Sequence, residues 1–185
     1  MTDFLLLWLP ILVATVGVFL ASSLVNTVLP WHKSDFPAVP DEEGVMDALR
    51  PFALPPGEYM VPRCNDMKEM SSPAYIEKMS RGPVMQLTVR PNGPASMGPT
   101  LGQWAVYCLV VSALVACLAS TVLAPGTHGH DVFHFTAVAA FMAYAVATWQ
   151  NSIWYGRPWS MAAKSTLDGL IYALITGAVF MWLWP

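Results

Sequence analysis

Two sets of side chains in this 185-residue chain have the types and spacing that chemistry needs. The first is His128, His130 and His134, with Asp131 among them. His130 and His134 stand one helical turn apart, and His128 and Asp131 are near enough to complete three or four ligands, donors suited to zinc, copper or iron. The H-D-x-x-H pattern lacks the glutamate of the zinc-protease motif, so it carries little specificity. The same residues also read as the aqueous end of a membrane helix, with Asp131 near its positively polarised start. The second set is Lys164, Asp168, Tyr172 and Thr176, spaced by four residues and so on one face of a helix. Ionisable groups inside a membrane are costly and often functional, so this stripe could line an ion or proton path. A structural ion pair is the better fit. In a helix that starts at Ser160, Asp168 lies only about 10–12 Å along the axis, where it can pair with Lys164 or Arg157 and pin a loop to the bundle.

The elements that must position these residues are apolar. Mean hydropathy is +0.48 and only 11% of residues are charged, against roughly 25% in a soluble globular domain. Four spans are long enough to cross a bilayer, at 4–28, 101–123, 132–149 and 161–184. The first carries Pro10, a point for a kink or a restart, and has no Lys or Arg ahead of it. Its apolar run also exceeds the roughly 7–15 residues of a signal core, so it reads as a retained helix. Three spans carry small residues four apart, at Ser112, Ala116 and Ser120, at Ala139, Ala143 and Ala147, and at Ser165, Gly169, Ala173 and Gly177. Such stripes let helices approach closely. Leu170, Leu174, Ile175 and Met181 fall elsewhere on the last span, where they can face lipid. All eight tryptophans fall at or near span ends, where an amphipathic indole sits well.

Nine of the twelve acidic residues and seven of the nine Lys and Arg fall between Pro30 and Thr100. The segment 30–99 therefore reads as a small soluble α+β insert. Asp41 to Arg50 forms a short helix burying Val45, Met46 and Leu49, and Gly57 to Val61 is a strand. Ser72 caps a helix that begins at Pro73 and ends at Gly82. Val84 to Val89 alternates as a half-buried strand, and Asn92-Gly93 marks a turn. Few large apolar side chains are available, so the insert is expected to lean on the membrane surface, on helix ends or on a partner. Tyr59, Met60, Met67, Met70, Met79 and Met85 could fill its small core or offer an adaptable docking surface. The expected fold class is thus an all-α membrane protein, four transmembrane helices with a small α+β insert between the first two.

Several functions find no footing. No basic run interleaved with aromatics is present, so nucleic acid has no electrostatic footprint. Cys108 and Cys117 lie about 13 Å apart along one helix and cannot bridge, and Cys64 stands alone. No phosphate-binding loop, dinucleotide-binding glycine pattern or nucleophile elbow occurs. The loop between spans two and three has no Lys or Arg, whereas the following loop with its adjoining turn holds Arg157 and Lys164. The positive-inside bias therefore places the insert in the cytoplasm and both termini outside it.

The segments PWHKSDF, DALR, PPGEYMVP, SPAYIEKM and RGPVMQLTVRPNG, with SIWYGRPWSMAAKSTLDGLIYALITGAVFMWLWP, together resemble a family of small, uncharacterised bacterial inner-membrane proteins. The resemblance implies a bacterial inner-membrane location and the order of one helix, an insert and three helices. It implies no activity. The expected function is an accessory, assembly or stabilising subunit of a larger membrane complex, without catalysis of its own and without a cofactor, in contact with lipid and with other membrane-protein subunits. Two alternatives remain: a small channel or carrier using the Lys164 stripe, and a membrane oxidoreductase holding a transition metal or haem at His128, His130 and His134.

Overall fold

The computed structural model describes residues 2–185. Among them, four helical stretches are long and apolar enough to cross a membrane, Phe4–Thr27, Met97–Val122, Gly129–Tyr155 and Trp159–Leu183. Asp3 opens the first by accepting a hydrogen bond from Leu5 N at 2.9 Å. A 3-10 turn, Phe4–Leu7, then passes into α1, Trp8–Thr27. The change of helix type comes at Trp8, ahead of Pro10. Pro10 sits in the first turn of α1, where its missing N–H costs no helical bond. A second 3-10 turn, Pro30–Ser34, follows.

The remaining elements in chain order are α2 (Glu42–Leu49), β1 (Gly57–Val61), α3 (Met67–Met70), α4 (Pro73–Arg81), β2 (Met85–Val89), α5 (Met97–Val122), α6 (Gly129–Tyr144), α7 (Gln150–Tyr155) and α8 (Trp159–Leu183). The chain forms two compact units, one from the residues up to Pro37 with Ser96–Pro185, the other Ala38–Ala95. The insert is therefore shorter than the expected 30–99, because Pro30–Pro37 belongs to the helical unit. α5 also begins four residues ahead of the expected Leu101.

In the helical unit α8 is the central element, packed on both α6 and α1. Its small residues explain this. A Cβ added at Gly169 would lie 2.7 Å from Ala145 Cβ and 3.0 Å from the Ala145 backbone. One added at Gly177 would lie 2.8 Å from Ala137 Cβ and 3.0 Å from the Phe133 ring. Backbones that close require a missing side chain. Ala173, between them, is buried, as are Ser112, Ala116 and Ser120 of α5 and Ala139 of α6. Ala143 is half-buried, but Ala147 is exposed. The alanine stripe breaks because α6 stops at Tyr144 and passes through a 3-10 turn, Val146–Thr148, into α7. Ala145, off the expected stripe, is the residue that meets Gly169. Ile175 is likewise half-buried and does not lie wholly toward lipid, since a Cβ at Gly17 of α1 would touch its side chain at 3.0 Å.

One end of this unit is tied together by both chain ends. Thr2 N and Oγ1 donate to Ser120 O and Leu123 O of the α5 terminus at 3.0 and 2.9 Å. Gly126 N donates to Pro185 O at 2.7 Å, and Trp184 Nε1 to Ala124 O at 3.0 Å.

The Ala38–Ala95 unit follows its local signals. Asp41 caps α2 and Ser72 caps α4, accepting from Gly44 N and Tyr75 N, while Gly82 takes the left-handed φ of 59° that ends α4. β1 and β2 pair antiparallel with Tyr59 opposite Leu87 and Val61 opposite Met85. The expected burial does not follow, however. Val45, Met46 and Leu49 are 46%, 47% and 37% exposed, and no residue from 38 to 95 is buried. A two-stranded ladder with helices of four to nine residues has no second layer to close over an apolar face.

The glycine contacts give a direct test. Gly169→Ala should lower the melting temperature of the detergent-solubilised protein by an amount corresponding to about 1–3 kcal/mol, the usual cost of overpacking. Gly102→Ala, in α5 with nothing within 4 Å of the added carbon, should leave it unchanged or raise it slightly.

Candidate functional site

Four ionisable residues of the helical unit, His32, Asp35, Lys164 and Asp168, meet at the end opposite the two termini. Pro30 fixes the start of the 3-10 turn that follows α1. In this tighter coil, side chains three apart lie nearly eclipsed, which brings His32 Nδ1 to 2.8 Å from Asp35 Oδ2. The other ring nitrogen, Nε2, lies 2.9 Å from Asp168 Oδ2 in α8. One turn earlier in α8, Lys164 Nζ donates to Asp35 Oδ1 at 2.5 Å and to Ser34 Oγ at 2.8 Å. The chain Lys164–Asp35–His32–Asp168 thus joins the turn after α1 to the first turns of α8.

Burial makes this network consequential. The side chains of Asp35 and Asp168 are only 7% and 11% exposed, and those of Lys164 and His32 21% and 23%. Both imidazole nitrogens face a carboxylate oxygen, so His32 and the two acids must hold two protons among them for both contacts to be hydrogen bonds. An imidazolium between two carboxylates, beside the Lys164 ammonium, sums to zero charge. One valence stays open: Asp168 Oδ1 is buried without a hydrogen-bond partner.

Asp168 also borders a cavity of about 630 Å³ within the helical unit. Trp104, Tyr107, Tyr144 and Tyr172 line it, with hydroxyls of Ser22, Ser23 and Thr148. The rings form one cluster: Trp104 stacks on Tyr107 at 5.3 Å, while Tyr144 meets Tyr107 and Tyr172 edge-on at 5.8 and 5.6 Å. Trp104 Nε1 donates to Ser22 Oγ at 2.7 Å, and Tyr107 Oη to Ala143 O at 3.1 Å. Tyr144 Oη has no partner among the described residues.

The residues singled out from the sequence are therefore arranged differently from the expectation. Lys164 and Asp168 do not pair with each other, and Arg157 joins none of the ion pairs among the described residues. Lys164 and Asp168 are each taken instead by the 30–35 turn. Tyr172 and Thr176, further along the same face, are buried, and Thr176 Oγ1 donates back to Tyr172 O at 2.8 Å. The stripe thus ends inside its own helix.

The histidines near α6 are exposed. His128 caps the helix, its Nδ1 accepting from His130 N at 3.3 Å, and His130 and His134 lie ring over ring at 6.3 Å. His130 lies 3.7 Å from Asp131. Among the described residues no group of three His, Cys, Asp or Glu side chains is placed to hold a metal ion.

His32, Asp35 and the site rings of Trp104, Tyr107 and Tyr144 were not singled out. The usable signal was the spacing of His32 and Asp35, three apart behind a proline at the end of an apolar span.

No family model, curated protein or solved structure matches the chain. The class rests on the elements themselves: a helical bundle with four helices of membrane-spanning length and composition, carrying a small two-stranded unit.

Asp35 lies outside the spans, and its hydrogen bond from Lys164, then that with His32, holds its carboxyl below the ordinary value of 3.8. A carboxyl lowered in the folded state contributes stability above its unfolded value and loses it as pH falls through the folded one. Asp35→Asn should therefore melt lower than the parent at neutral pH, and the gap should close on acidification below about pH 4. Melting curves recorded in detergent across that range check both the sign and the window.

Proposed function

We propose that this chain is a non-catalytic accessory, assembly or stabilising subunit of a larger bacterial inner-membrane complex, with both termini outside the cytoplasm. The observation that carries the reading is the Ala38–Ala95 unit, in which no residue is buried. A free-standing domain of about 60 residues buries roughly 60% of the surface that its unfolded chain exposes. Here Phe52, Met67, Ile76 and Val84 are 69%, 80%, 53% and 53% exposed. Each strand of the two-stranded sheet also keeps one unpaired edge, a row of backbone donors and acceptors that another chain can extend. Flexible methionine side chains suit such a contact.

The helical unit supports the same reading from the other side. Its charges close on one another in a compact network and do not continue along the bundle. Carriage of an ion or proton finds a single supporting observation, the place of Asp168 on the lining of a cavity.

Purification from the native host in mild detergent, followed by mass spectrometry, tests the proposal. Stoichiometric membrane-protein partners should accompany the parent chain. Phe52→Asp with Met67→Asp should remove them while leaving the melting temperature of the helical unit unchanged. A chain that purifies alone, as a colourless monomer, sinks the proposal.

A further inference from the structure

We propose that the cavity within the helical unit binds one hydrocarbon chain of a membrane amphiphile, whose polar head stays at the mouth. This goes beyond the accessory-subunit reading and does not depend on it.

Shape gives the first reason. The lining runs from Met97 to Tyr107 on α5, about 15 Å along the axis, and from Ser165 to Tyr172 on α8, about 10 Å. The cavity is therefore drawn out along helices of membrane-spanning length and composition, the direction in which the chains of a bilayer lie. Its lining includes the exposed residues Asn26 and Thr27 at the end of α1 and Met97 and Thr100 at the start of α5, which form the mouth. Ser22 and Tyr172, deeper along their helices, are buried and form the floor. An amphiphile whose head lies level with the helix ends can thus send a chain inward. A volume of about 630 Å³ is that of an ordinary ligand site.

The lining gives the second reason. Hydroxyl and amide side chains are frequent on it, yet their hydrogen bonds are spent on the backbone. Ser23, Thr27 and Thr148 hydroxyls and Asn26 Nδ2 donate to carbonyls three or four residues earlier, at 2.6 to 2.9 Å. Ser22 Oγ is held between Phe19 O and Trp104 Nε1, and Tyr107 Oη donates to Ala143 O. Asp168, the one charged residue on the lining, has Oδ2 on His32 and Oδ1 buried, as is Tyr144 Oη. The surface left to face the space is mostly carbon. A water molecule held in a cavity needs about two to four polar partners, which such a wall does not supply along its length. A charged group would give up its solvation without a counter-charge in reach. A hydrocarbon chain gives up nothing polar, and it restores the dispersion contacts that an unfilled space forfeits.

The chain could belong to a phospholipid or to a free single-chain amphiphile, and the test separates them. The full-length protein is placed in phosphatidylglycerol nanodiscs that contain either a phosphatidylglycerol with a photoactivatable diazirine on one acyl chain or hexadecanol carrying the same group. After irradiation, the digested protein is mapped by mass spectrometry. Label should reach the floor, at Ser22 or Tyr172, as well as Leu118, which is exposed on the outside of α5. Ser23→Phe, which places a ring in the space, should abolish floor labelling and keep that of Leu118. Thr100→Trp, at the exposed mouth where folding is not at stake, should do the same. Ser23→Ala removes the hydroxyl but not the space, so its labelling should match that of the parent. Floor label from the phospholipid alone identifies a lipid chain as the occupant, and label from the alcohol alone identifies a free amphiphile. Label from both shows that the chain is bound without regard to its head. Absence of floor label from both probes, or floor label indifferent to both fillings, overturns the site.

Discussion

A carboxylate placed on an apolar helix has to find a partner or stay neutral, and Asp168 imposes that constraint on this fold. Its solution comes from outside α8. The chain leaves α1, turns at Pro30 and presents His32, whose two ring nitrogens reach Asp35 and Asp168 together. Lys164 then ties Asp35 back to the helix on which Asp168 sits. Loss of one member would leave a buried charge without compensation, which is far more destabilising than losing an exposed ion pair. The network also explains why residues 30–37 pack with the helices although their composition is that of the insert.

A second constraint sets how α8 can be reached at all. Gly169 and Gly177 bring its backbone against α6, and Gly17 brings α1 against Ile175. Three close approaches make α8 the hub, and its first turns are thereby fixed where the 30–35 turn arrives. The approach at Gly169 coincides with the end of α6 at Tyr144. Ala145, the C-cap of α6 with φ of −112° and ψ of −63°, stands where the two backbones meet. The 3-10 turn that follows leaves Ala147 exposed and leads into α7. Packing and charge pairing therefore act on the same end of α8 from different neighbours.

What was legible in the sequence follows from how local each signal is. The four spans depend on hydropathy summed over some twenty residues, and they recur with boundaries displaced by a few residues. The caps at Asp41 and Ser72, the turn at Gly82 and both strands of the insert depend on two to five neighbouring residues, and they recur as well. Gly169 and Gly177 could be singled out because small residues at helical spacing have one common use. Partnership over long separations was not legible. Lys164 and Asp168 look like natural partners at four residues apart, yet their actual partners lie 129 and 136 residues away. Helical periodicity tells which residues share a face and not what meets that face. The burial of Val45, Met46 and Leu49 failed for a related reason: an amphipathic pattern specifies a face to be covered, and within the described chain nothing covers it.

The two units thus meet the same requirement in opposite ways. In the helical unit, polar and charged groups are largely paired internally, and the backbone approaches leave little room to rearrange them; the buried atoms left without a partner are Trp31 Nε1, Ser112 Oγ, Tyr144 Oη, Ser152 Oγ and Asp168 Oδ1. In the Ala38–Ala95 unit, hydrogen bonding within elements is complete enough to define them, but apolar burial is not. A fold whose secondary structure is specified by caps and turns, while its hydrophobic faces remain uncovered, forgoes the apolar burial that stabilises a free-standing domain. The helical unit contains a cavity of about 630 Å³, whereas the other leaves its apolar side chains exposed.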